Sequence, residues 1–397
     1  MCKIVIAGVG TGRFLHLTHE VQDAIKNFDT IITSKTHANL IPPDKNIILI
    51  DDLKSLFQKI ATLEKVLILV SGDTGIFSLM PLVKKNFPNA NIKVMAGLSA
   101  LQVFCARLNE TWNDAIILSG HGRILNTGEF LNTVERSEKV ILFCDDKNSP
   151  DYICKILNEI VDAESKLKIF IGENLDMTSE NIYAGNANDF VNKKFSSYSI
   201  MLIKNSDPFK YSNTPRDFEF ERLKNIKMTN EITRQIILSR LDLNEHNKIF
   251  WDIGAGTGSI SISVALKNLS CEVHAVEFKN DAVNLIALNA AKFKLHNIKI
   301  HSGRAEDIIK TLPVPQNIFI GGSGGALNEI LDYVINLDAN IILTCITPEN
   351  FNIAYEKMKG LKNFECVQVQ ANYLKPAGEN YFLKACNPVY ILSCNRL

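Results

Sequence analysis

The chain has 397 residues, of which 46% are hydrophobic and 22% charged, a composition typical of folded domains with buried cores. Its 43 basic and 43 acidic residues leave no net charge, which argues against a nucleic-acid-binding protein because such proteins are usually basic. The nine cysteines show no C-x-x-C spacing, so no metal site is predicted from them. No targeting segment and no apolar run of membrane-spanning length is visible, so we expect a cytoplasmic protein that does not bind membranes.

Apolar runs of strand length alternate with segments of helical period in both halves of the chain, which is the pattern of α/β folds with parallel sheets. In the first half, Thr18 is predicted to cap a helix whose apolar face includes Val21 and Ile25. The strands predicted in this half span residues 2–7, 30–33, 47–50, 66–70, 92–95, 115–118, 140–143, 168–171 and 199–203.

A stretch rich in Pro, Ser and Asn separates the two halves and has no periodicity. We therefore predict a first domain over residues 1–205, a linker over 206–215 and a second domain over 216–397. In the second domain, Thr229 is predicted to cap a helix that runs to about Ser239. The strands predicted there span 248–253, 272–277, 299–302, 317–320, 340–345, 365–371 and 389–393, with helices over 259–266 and 281–295. The last two strands are expected to close the sheet in antiparallel fashion.

The sequence DIGAGTG at 252–258 ends a predicted strand and opens a helix. Glycines at such a turn let the backbone approach a ligand, and the helix N-terminus favours negative charge. Ser259 stands where the dinucleotide fingerprint requires Gly or Ala, whereas Glu277 suits the ribose of either ligand class. Asp252 is placed to meet an amino group, and the small and acidic residues at 302–307 suit an adenine. These features favour S-adenosylmethionine (SAM) over NAD.

The sequence NPVY at residues 387–390 is similar to the NPPY motif of methyltransferases that modify base or amide nitrogens. That motif belongs after the fourth strand, where this chain carries GGSGG at 321–325 instead. We therefore interpret residues 387–390 as structural. An RNA methyltransferase with the same fold remains an alternative, against which the zero net charge and the misplaced motif argue.

Several motifs of the second half together resemble one family, the decarboxylating precorrin-6B (cobalt-precorrin-6B) carbon-15 methyltransferases of cobalamin biosynthesis. They are MTNEITR at 228–234, WDIGAGTGS at 251–259, FIGGSGG at 319–325, TPEN at 347–350 and KACNPVYI at 384–391. The resemblance covers nearly all of residues 215–397 and implies a Rossmann-like class I methyltransferase that also decarboxylates the acetate at carbon 12. With Asp252 included, the SAM contacts are expected to be Thr229, Asp252, Gly254, Ala255, Gly256, Thr257, Gly258, Glu277 and Ala305.

The first half resembles the usual fusion partner of that enzyme, the tetrapyrrole methylase that acts at carbon 5 of precorrin-7. The resembling segments are GVGTG at 8–12, residues 17–35, SGDTGIF at 71–77, AGLSALQVFCARL at 96–108 and LSGHGR at 118–123. This family folds as two α/β subdomains that hold SAM in the cleft between them, so one SAM per domain is expected. The implied contacts are Gly10, Gly72, Asp73, Ser99 and Ala100. Thr11 and Thr74 replace the usual prolines of this family, which is expected to loosen both loops.

The acceptor that the resemblance implies is a macrocycle with many carboxylates, which requires cations and N–H donors around it. The substrate-binding candidates are Arg123, Gly322, Gly324, Lys375 and Lys384. His121 and Ser323 are candidate catalytic residues. The histidines available as the acid for decarboxylation are His246, His274, His296 and His301. No metal is expected, because the methyl group of SAM is already activated.

We therefore predict a bifunctional enzyme that methylates carbons 5 and 15 of (cobalt-)precorrin-6B/7 and removes one carboxyl group, giving (cobalt-)precorrin-8. In the alternative, only the second domain is catalytic and the first binds or delivers the tetrapyrrole. Related enzymes are oligomers, which predicts a homo-oligomer. The sequence leaves open whether the substrate already contains cobalt.

Overall fold

The computed structural model describes residues 3–122, 124–160, 162–212, 214–243 and 249–395. The chain forms two compact units, the first made of Met1–Leu125 and Ser137–Asp207 and the second of Asn126–Arg136 and Pro208–Leu397. Several residues that the predictions used lie outside the described residues, among them Cys2, Arg123, His246 and Lys248. Within the described ranges, no helix is long and apolar enough to cross a membrane, and no group of three or more His, Cys, Asp or Glu is placed to hold a metal ion.

The first half of the chain alternates strands and helices as its apolar pattern predicts. Its strands are β1 (Lys3–Gly8), β2 (Thr30–Thr33), β3 (Asn46–Leu49), β4 (Lys65–Val70), β5 (Asn91–Met95), β6 (Ile116–Ser119), β7 (Lys139–Phe143), β8 (Leu167–Glu173), β9 (Asn181–Gly185) and β10 (Ser199–Asn205). Its helices are α1 (His19–Asn27), α2 (Leu53–Ala61), α3 (Met80–Asn86), α4 (Ala100–Leu108), α5 (Thr127–Arg136), α6 (Pro150–Leu157) and α7 (Ala163–Lys166). The predicted cap of α1 is confirmed, because the Thr18 side chain accepts a hydrogen bond from the backbone N–H of Val21.

The first unit contains two five-stranded sheets. The first has the order β3-β2-β4-β1-β5 and is entirely parallel, and its central strands β1 and β4 are buried except at their first residues. Such burial on both faces explains why these strands are continuous apolar runs. The second sheet has the order β6-β7-β10-β8-β9, in which only β6 and β7 pair in parallel. Strand β9 was not predicted, because this edge strand is largely exposed and carries few apolar residues.

The second unit is built around a seven-stranded sheet of order β13-β12-β11-β14-β15-β19-β16 and a separate hairpin, β17–β18. Its strands are β11 (Ile249–Ile253), β12 (Glu272–Glu277), β13 (Ile298–Ser302), β14 (Asn317–Ile320), β15 (Asn340–Cys345), β16 (Lys362–Val369), β17 (Asn372–Ala377), β18 (Asn380–Ala385) and β19 (Val389–Asn395). Its further helices are α8 (Glu231–Arg240), α9 (Ser259–Lys267), α10 (Asn280–Lys292), α11 (Ala305–Ile308), α12 (Leu327–Val334) and α13 (Pro348–Met358). Strand β19 pairs antiparallel with β15 and β16, as predicted.

Two sequence predictions about this unit need correction. Thr229 does not cap α8: the cap is Asn230, which has an extended backbone and whose side-chain oxygen accepts the N–H of Thr233 at 2.9 Å. The β17–β18 hairpin was also missed. Its residues are largely exposed, and Pro376 interrupts the first strand, so neither a buried run nor a clear alternation marks it.

Helix α5 belongs to the second unit although it lies inside the range predicted for the first domain. Arg136 at its end donates hydrogen bonds to the carbonyl oxygens of Phe293 and Lys294, at 2.9 and 3.0 Å. The side-chain oxygen of Asn132 accepts the backbone N–H of His296 at 2.9 Å. A helical period shows which face of a helix is apolar, but it does not show which sheet that helix joins.

Candidate active site

A cavity of about 560 Å³ opens at the carboxyl ends of the central strands of the second unit. This is the edge at which parallel α/β sheets bind ligands, and the volume suits a nucleoside-sized molecule. The predicted SAM-binding residues on its wall are Thr229, Asp252, Gly254, Ala255, Gly256, Glu277 and Ala305. The predicted substrate-binding or catalytic residues on it are Gly322, Ser323 and Gly324.

The glycine loop after β11 forms the floor of this cavity. Gly254 has a φ of +71°, and a Cβ added to it would lie 2.3 Å from the carbonyl oxygen of Gly322, so only glycine fits there. Thr257 and Gly258, also predicted SAM contacts, lie behind the cavity wall. Thr257 is buried, and Gly258 immediately precedes α9 with a φ of +78°, so these two residues shape the loop.

Asp252 is part of the cavity lining and has one unpaired, buried carboxylate oxygen. Its Oδ2 accepts hydrogen bonds from the backbone N–H and the hydroxyl of Ser261, at 2.9 and 2.5 Å, whereas Oδ1 has no partner among the described residues. The side chain is 1% exposed, and burial raises the pKa of Asp252 to about 7. The two bonds from Ser261 lower this pKa, and the charge of Glu277 raises it. A buried acceptor of this kind fits the ammonium group of SAM.

Glu277, at the end of β12, connects the glycine loop to the next turn. Its Oε2 accepts the N–H of Gly256 at 3.0 Å, and its Oε1 accepts the N–H groups of Phe278 and Lys279 at 2.9 and 3.0 Å. Each carboxylate oxygen can accept more than one hydrogen bond, so capacity remains for ribose hydroxyls. These bonds fix the carboxylate before any ligand arrives.

A buried arginine holds the segment that covers one side of the cavity. Arg234 is completely buried and donates to the carbonyl oxygens of Thr229 at 2.8 Å and Pro215 at 2.7 Å. The same guanidinium donates to Asp217 at 2.9 Å. Arg234 is thereby a positioning residue for Thr229. Sequence reasoning missed this role, although Arg234 closes the MTNEITR motif.

The cavity lining also includes exposed apolar residues and cations. Phe278 and Ile346 line it and are 51% and 50% exposed. Lys227, Lys279 and Arg304 also line it. This surface suits a flat, apolar ring that carries carboxylates at its edge.

The cations expected from the sequence lie elsewhere. Lys375 and Lys384 are on the β17–β18 hairpin, which was not predicted, and they are not among the residues that line the cavity.

Three of the histidines considered for decarboxylation, His274, His296 and His301, do not line the cavity, and the fourth, His246, lies outside the described residues. Among the described residues, its lining contains no histidine. The Nδ1 atom of His274 lies 3.0 Å from Nε2 of His301, and its Nε2 lies 2.7 Å from Glu272. Burial lowers the pKa of both histidines of this pair. His296 lies beside α5, with its ring 3.9 Å from Glu135. A strand position alone could not show which face of the sheet each ring occupies.

In the first unit, the predicted loops meet at the carboxyl ends of β1, β4 and β5. Gly10 and Gly72 exchange backbone hydrogen bonds of 3.1 and 2.7 Å. A Cβ on Gly8 would lie 2.6 Å from the carbonyl oxygen of Gly72 and 2.8 Å from the nitrogen of Gly97. The backbones of these loops therefore touch at Gly8, where no side chain can be accommodated.

Side chains fix the same loops further. Asp73 accepts the N–H groups of Gly75 and Gly97, at 2.7 and 3.0 Å. Ser99 caps α4 through a reciprocal pair of bonds with Gln102, and Ala100 is the first residue of that helix. These contacts bring the predicted first-unit SAM residues close to one another.

Both threonines that replace the prolines of the family make hydrogen bonds. The Thr11 hydroxyl donates to Oδ2 of Asp176 at 2.6 Å, and the buried Thr74 hydroxyl donates to the carbonyl oxygen of Met95 at 3.3 Å. Asp176 is itself held by Arg107 at 2.9 Å. The predicted loosening of these loops is therefore opposed by side-chain bonds that the sequence did not reveal.

The other candidate catalytic residue, His121, is exposed in a turn after β6. Its neighbour Gly122 donates to Asp145 at 2.9 Å. Arg123, which follows, lies outside the described residues.

Two family profiles match the chain, one in each half. The family profile of the precorrin methyltransferase domain matches residues 220–396, and that of the tetrapyrrole (corrin/porphyrin) methylases matches residues 3–191. The cobalt-precorrin-6B C(15)-methyltransferase (decarboxylating) of Salmonella typhimurium is 34% identical over 186 residues, which are 46% of this chain and 95% of that protein.

Two solved structures are similar to one half each. The precorrin-6Y C5,15-methyltransferase of Geobacter metallireducens is 30% identical with a TM-score of 0.43, covering 47% of this chain and 98% of that one. The cobalamin biosynthesis precorrin-6Y methylase of Archaeoglobus fulgidus is 18% identical with a TM-score of 0.41, covering 51% and 97%. The Salmonella relative, matched over nearly its whole length, together with the two profiles, shows that the chain belongs to the decarboxylating precorrin methyltransferases, with a tetrapyrrole methylase domain in its first half.

Proposed function

We propose that this chain transfers two methyl groups from SAM to a precorrin, at carbon 5 through the first unit and at carbon 15 through the second, and that the second unit also decarboxylates the carbon-12 acetate. The observation that carries the proposal is the second-unit cavity, whose lining combines an acid that has an unpaired buried carboxylate oxygen with apolar and cationic residues. Each unit would hold one SAM. The substrate class is that of the relatives, which are named for their action on precorrins.

The residues of the second unit have defined tasks in this reaction. SAM supplies a methyl group already activated by its sulfonium. Asp252 would bind the ammonium group, Glu277 the ribose hydroxyls and Ala305 the adenine, while the glycine loop excludes water from the donor. Gly324 would bring its backbone N–H close to a substrate carboxylate, whereas the N–H of Gly322 already donates to the carbonyl oxygen of Ile253 at 3.4 Å. Because the described lining contains no histidine, the proton that replaces carbon dioxide would come from another group or from water.

Substrate carboxylates would be bound by the cations on the cavity wall. Lys279 is exposed there, with its Nζ 5.7 Å from the Phe278 ring centre. Lys279→Gln should raise the KM for the tetrapyrrole about two- to fivefold, the range expected for an exposed ion pair. Lys375→Gln, on the hairpin, is the matched control and should leave this KM unchanged. Equal effects of both substitutions would contradict this assignment.

Activity of the first unit is supported by its loops, in which both proline replacements are held by hydrogen bonds. The decisive experiment incubates the purified full chain with SAM and precorrin-6B, metal-free and cobalt-loaded side by side, and follows the products by mass spectrometry. Two methyl additions and one loss of carbon dioxide are expected. One methyl addition with decarboxylation would instead support a first unit that only binds or delivers the substrate. An unchanged substrate in both forms would refute the proposal.

A homo-oligomer is supported by the hairpin. The cross-strand register places Leu374, Pro376, Tyr381 and Leu383 on one face, and the first, third and fourth of these are 65%, 70% and 67% exposed. An apolar face of this kind on an exposed hairpin suits a second copy of the chain. Leu374→Glu should shift the mass measured by analytical ultracentrifugation toward the monomer. A wild-type chain that sediments as a monomer at micromolar concentration would refute the proposal.

A further inference from the structure

A buried histidine of the first unit contacts two of the loops that meet at its predicted donor site. His37 follows β2 and is 3% exposed. Its Nε2 lies 2.6 Å from the hydroxyl of Ser71, the exposed first residue of the SGDTG segment. A Cβ added to Gly12 of the GVGTG segment would lie 2.8 Å from Nδ1 of His37. Neither His37 nor Ser71 was singled out from the sequence.

The hydrogen bonds of His37 are incomplete in a way that favours a chemical role. Its Nδ1 has no partner among the described residues, although it is shielded from solvent. A buried ring nitrogen without a partner costs about 1–3 kcal/mol, which a purely structural histidine would avoid. Burial also lowers the pKa of His37, so the ring is neutral near pH 7 and able to accept a proton.

We propose that Ser71 and His37 form a proton-accepting pair for carbon-5 methylation, an inference that rests on the proposed function of the first unit. Ser71 is exposed beside Gly72, where it would face the substrate, and His37 would act through it. His37 is therefore a positioning and proton-holding residue, and Ser71 is the group that touches the substrate.

Atoms and charges balance in the proton step. The ring carbon forms a bond to the methyl group while the bond from that methyl to sulfur breaks, and the electron pair stays on sulfur. The conjugated ring nitrogen is left as a cationic N–H. Its proton passes to Ser71 Oγ as the serine hydroxyl proton passes to His37 Nε2, which leaves a neutral macrocycle, a neutral serine and an imidazolium. This requires the resting proton of His37 to be on Nδ1.

The tautomer can be measured without any reaction. In ¹⁵N-histidine NMR of the full chain, the His37 signal, assigned by its loss in His37→Gln, should show a protonated Nδ1 and an acceptor Nε2. Ser71→Ala should shift the Nε2 resonance. A protonated Nε2 would mean that His37 donates to Ser71 and cannot take its proton, which would overturn the proposal.

Kinetics then test the chemistry within a single chain. His37→Gln keeps a group that can hydrogen-bond Ser71 but cannot accept its proton. We expect it to lower kcat for carbon-5 methylation about 10²- to 10⁴-fold with the KM for SAM unchanged. Ser71→Ala should lower this kcat by a similar factor, and the double variant should lower it no further than either single substitution does.

Carbon-15 methylation and decarboxylation by the same molecules provide the internal control, since both are assigned to the other unit. A wild-type chain that never adds the carbon-5 methyl refutes the proposed function of the first unit. If the wild-type chain adds the carbon-5 methyl group and the His37→Gln variant adds it at an equal rate, only the proposal of the proton-accepting pair is refuted.

Discussion

Protonation of Asp252 should control how tightly the second unit binds SAM. Only the carboxylate can pair with the ammonium group of SAM, and the pKa of Asp252 is raised to about 7 by burial. The ionised fraction then rises from about 0.09 at pH 6 to about 0.9 at pH 8, so the dissociation constant, expressed for the ammonium form of SAM, should be about tenfold larger at pH 6. The sign follows from the raised pKa: affinity is lost as the pH falls through 7.

Asn in place of Asp252 removes the charge and keeps the shape. Its side-chain oxygen can still accept from Ser261, so the fold of the loop should survive. The lost charge-assisted bond is worth about 1.5–3 kcal/mol, which predicts a 10- to 150-fold weaker site whose affinity no longer depends on pH. Asp338→Asn, an exposed acid outside the cavity lining, is the control and should change neither quantity.

Isothermal titration calorimetry of the full chain at pH 6, 7 and 8 measures both effects. In these titrations, the second-unit site is identified as the class of SAM-binding site whose affinity is lowered by Asp252→Asn. At pH 7, about half a proton should be released per SAM bound there, which is measured from the heats in two buffers of different ionisation enthalpy. A second-unit affinity that stays constant over this pH range, with no proton release, would refute the reasoning about Asp252.

Three further substitutions test other contacts. Gly254→Ala places a methyl group 2.3 Å from the carbonyl oxygen of Gly322 and should abolish carbon-15 methylation while carbon-5 methylation continues, as mass spectrometry of the products would show. Arg234→Met leaves the carbonyl oxygen of Thr229 without its donor. Loss of one partner of a buried ion pair costs about 3 kcal/mol or more of stability, so the segment that carries Thr229 should no longer be held in place. We expect the KM for SAM to rise at least tenfold, with a smaller change in kcat. Thr11→Val removes the hydroxyl bond to Asp176, worth about 1–3 kcal/mol, and should lower carbon-5 methylation selectively; equal loss at both carbons would contradict this role.

The elements that sequence reasoning predicted well are those whose burial imposes a pattern. Strands β1, β4 and β11 are buried nearly throughout, so each is a largely apolar run that leads into a glycine-containing loop. Strand β9 and the β17–β18 hairpin are exposed and gave no comparable signal. The backbone of both predicted donor loops could be anticipated, because closely spaced glycines directly after a buried parallel strand indicate a tight turn that a ligand can approach.

The contacts that complete the candidate sites could not be predicted, because they join residues far apart in the chain. Thr11 and Asp176 are separated by 165 positions, and nothing local to either residue indicates the pairing. The same holds for His37 and Ser71, which follow different strands. The cations on the cavity wall were also missed, although Lys279 lies two residues after a predicted strand whose end forms the site.

The two proposed donor sites should differ in their response to pH, and this difference separates them within one molecule. In the first unit, both oxygens of Asp73 already accept backbone N–H groups, and among its described residues no buried carboxylate oxygen lacks a partner. In the second unit, Oδ1 of Asp252 has none. SAM binding should therefore weaken about tenfold from pH 8 to pH 6 at the second site only. Two classes of site that weaken in parallel would mean that the pH dependence comes from a group common to both, such as one on SAM itself, and not from Asp252.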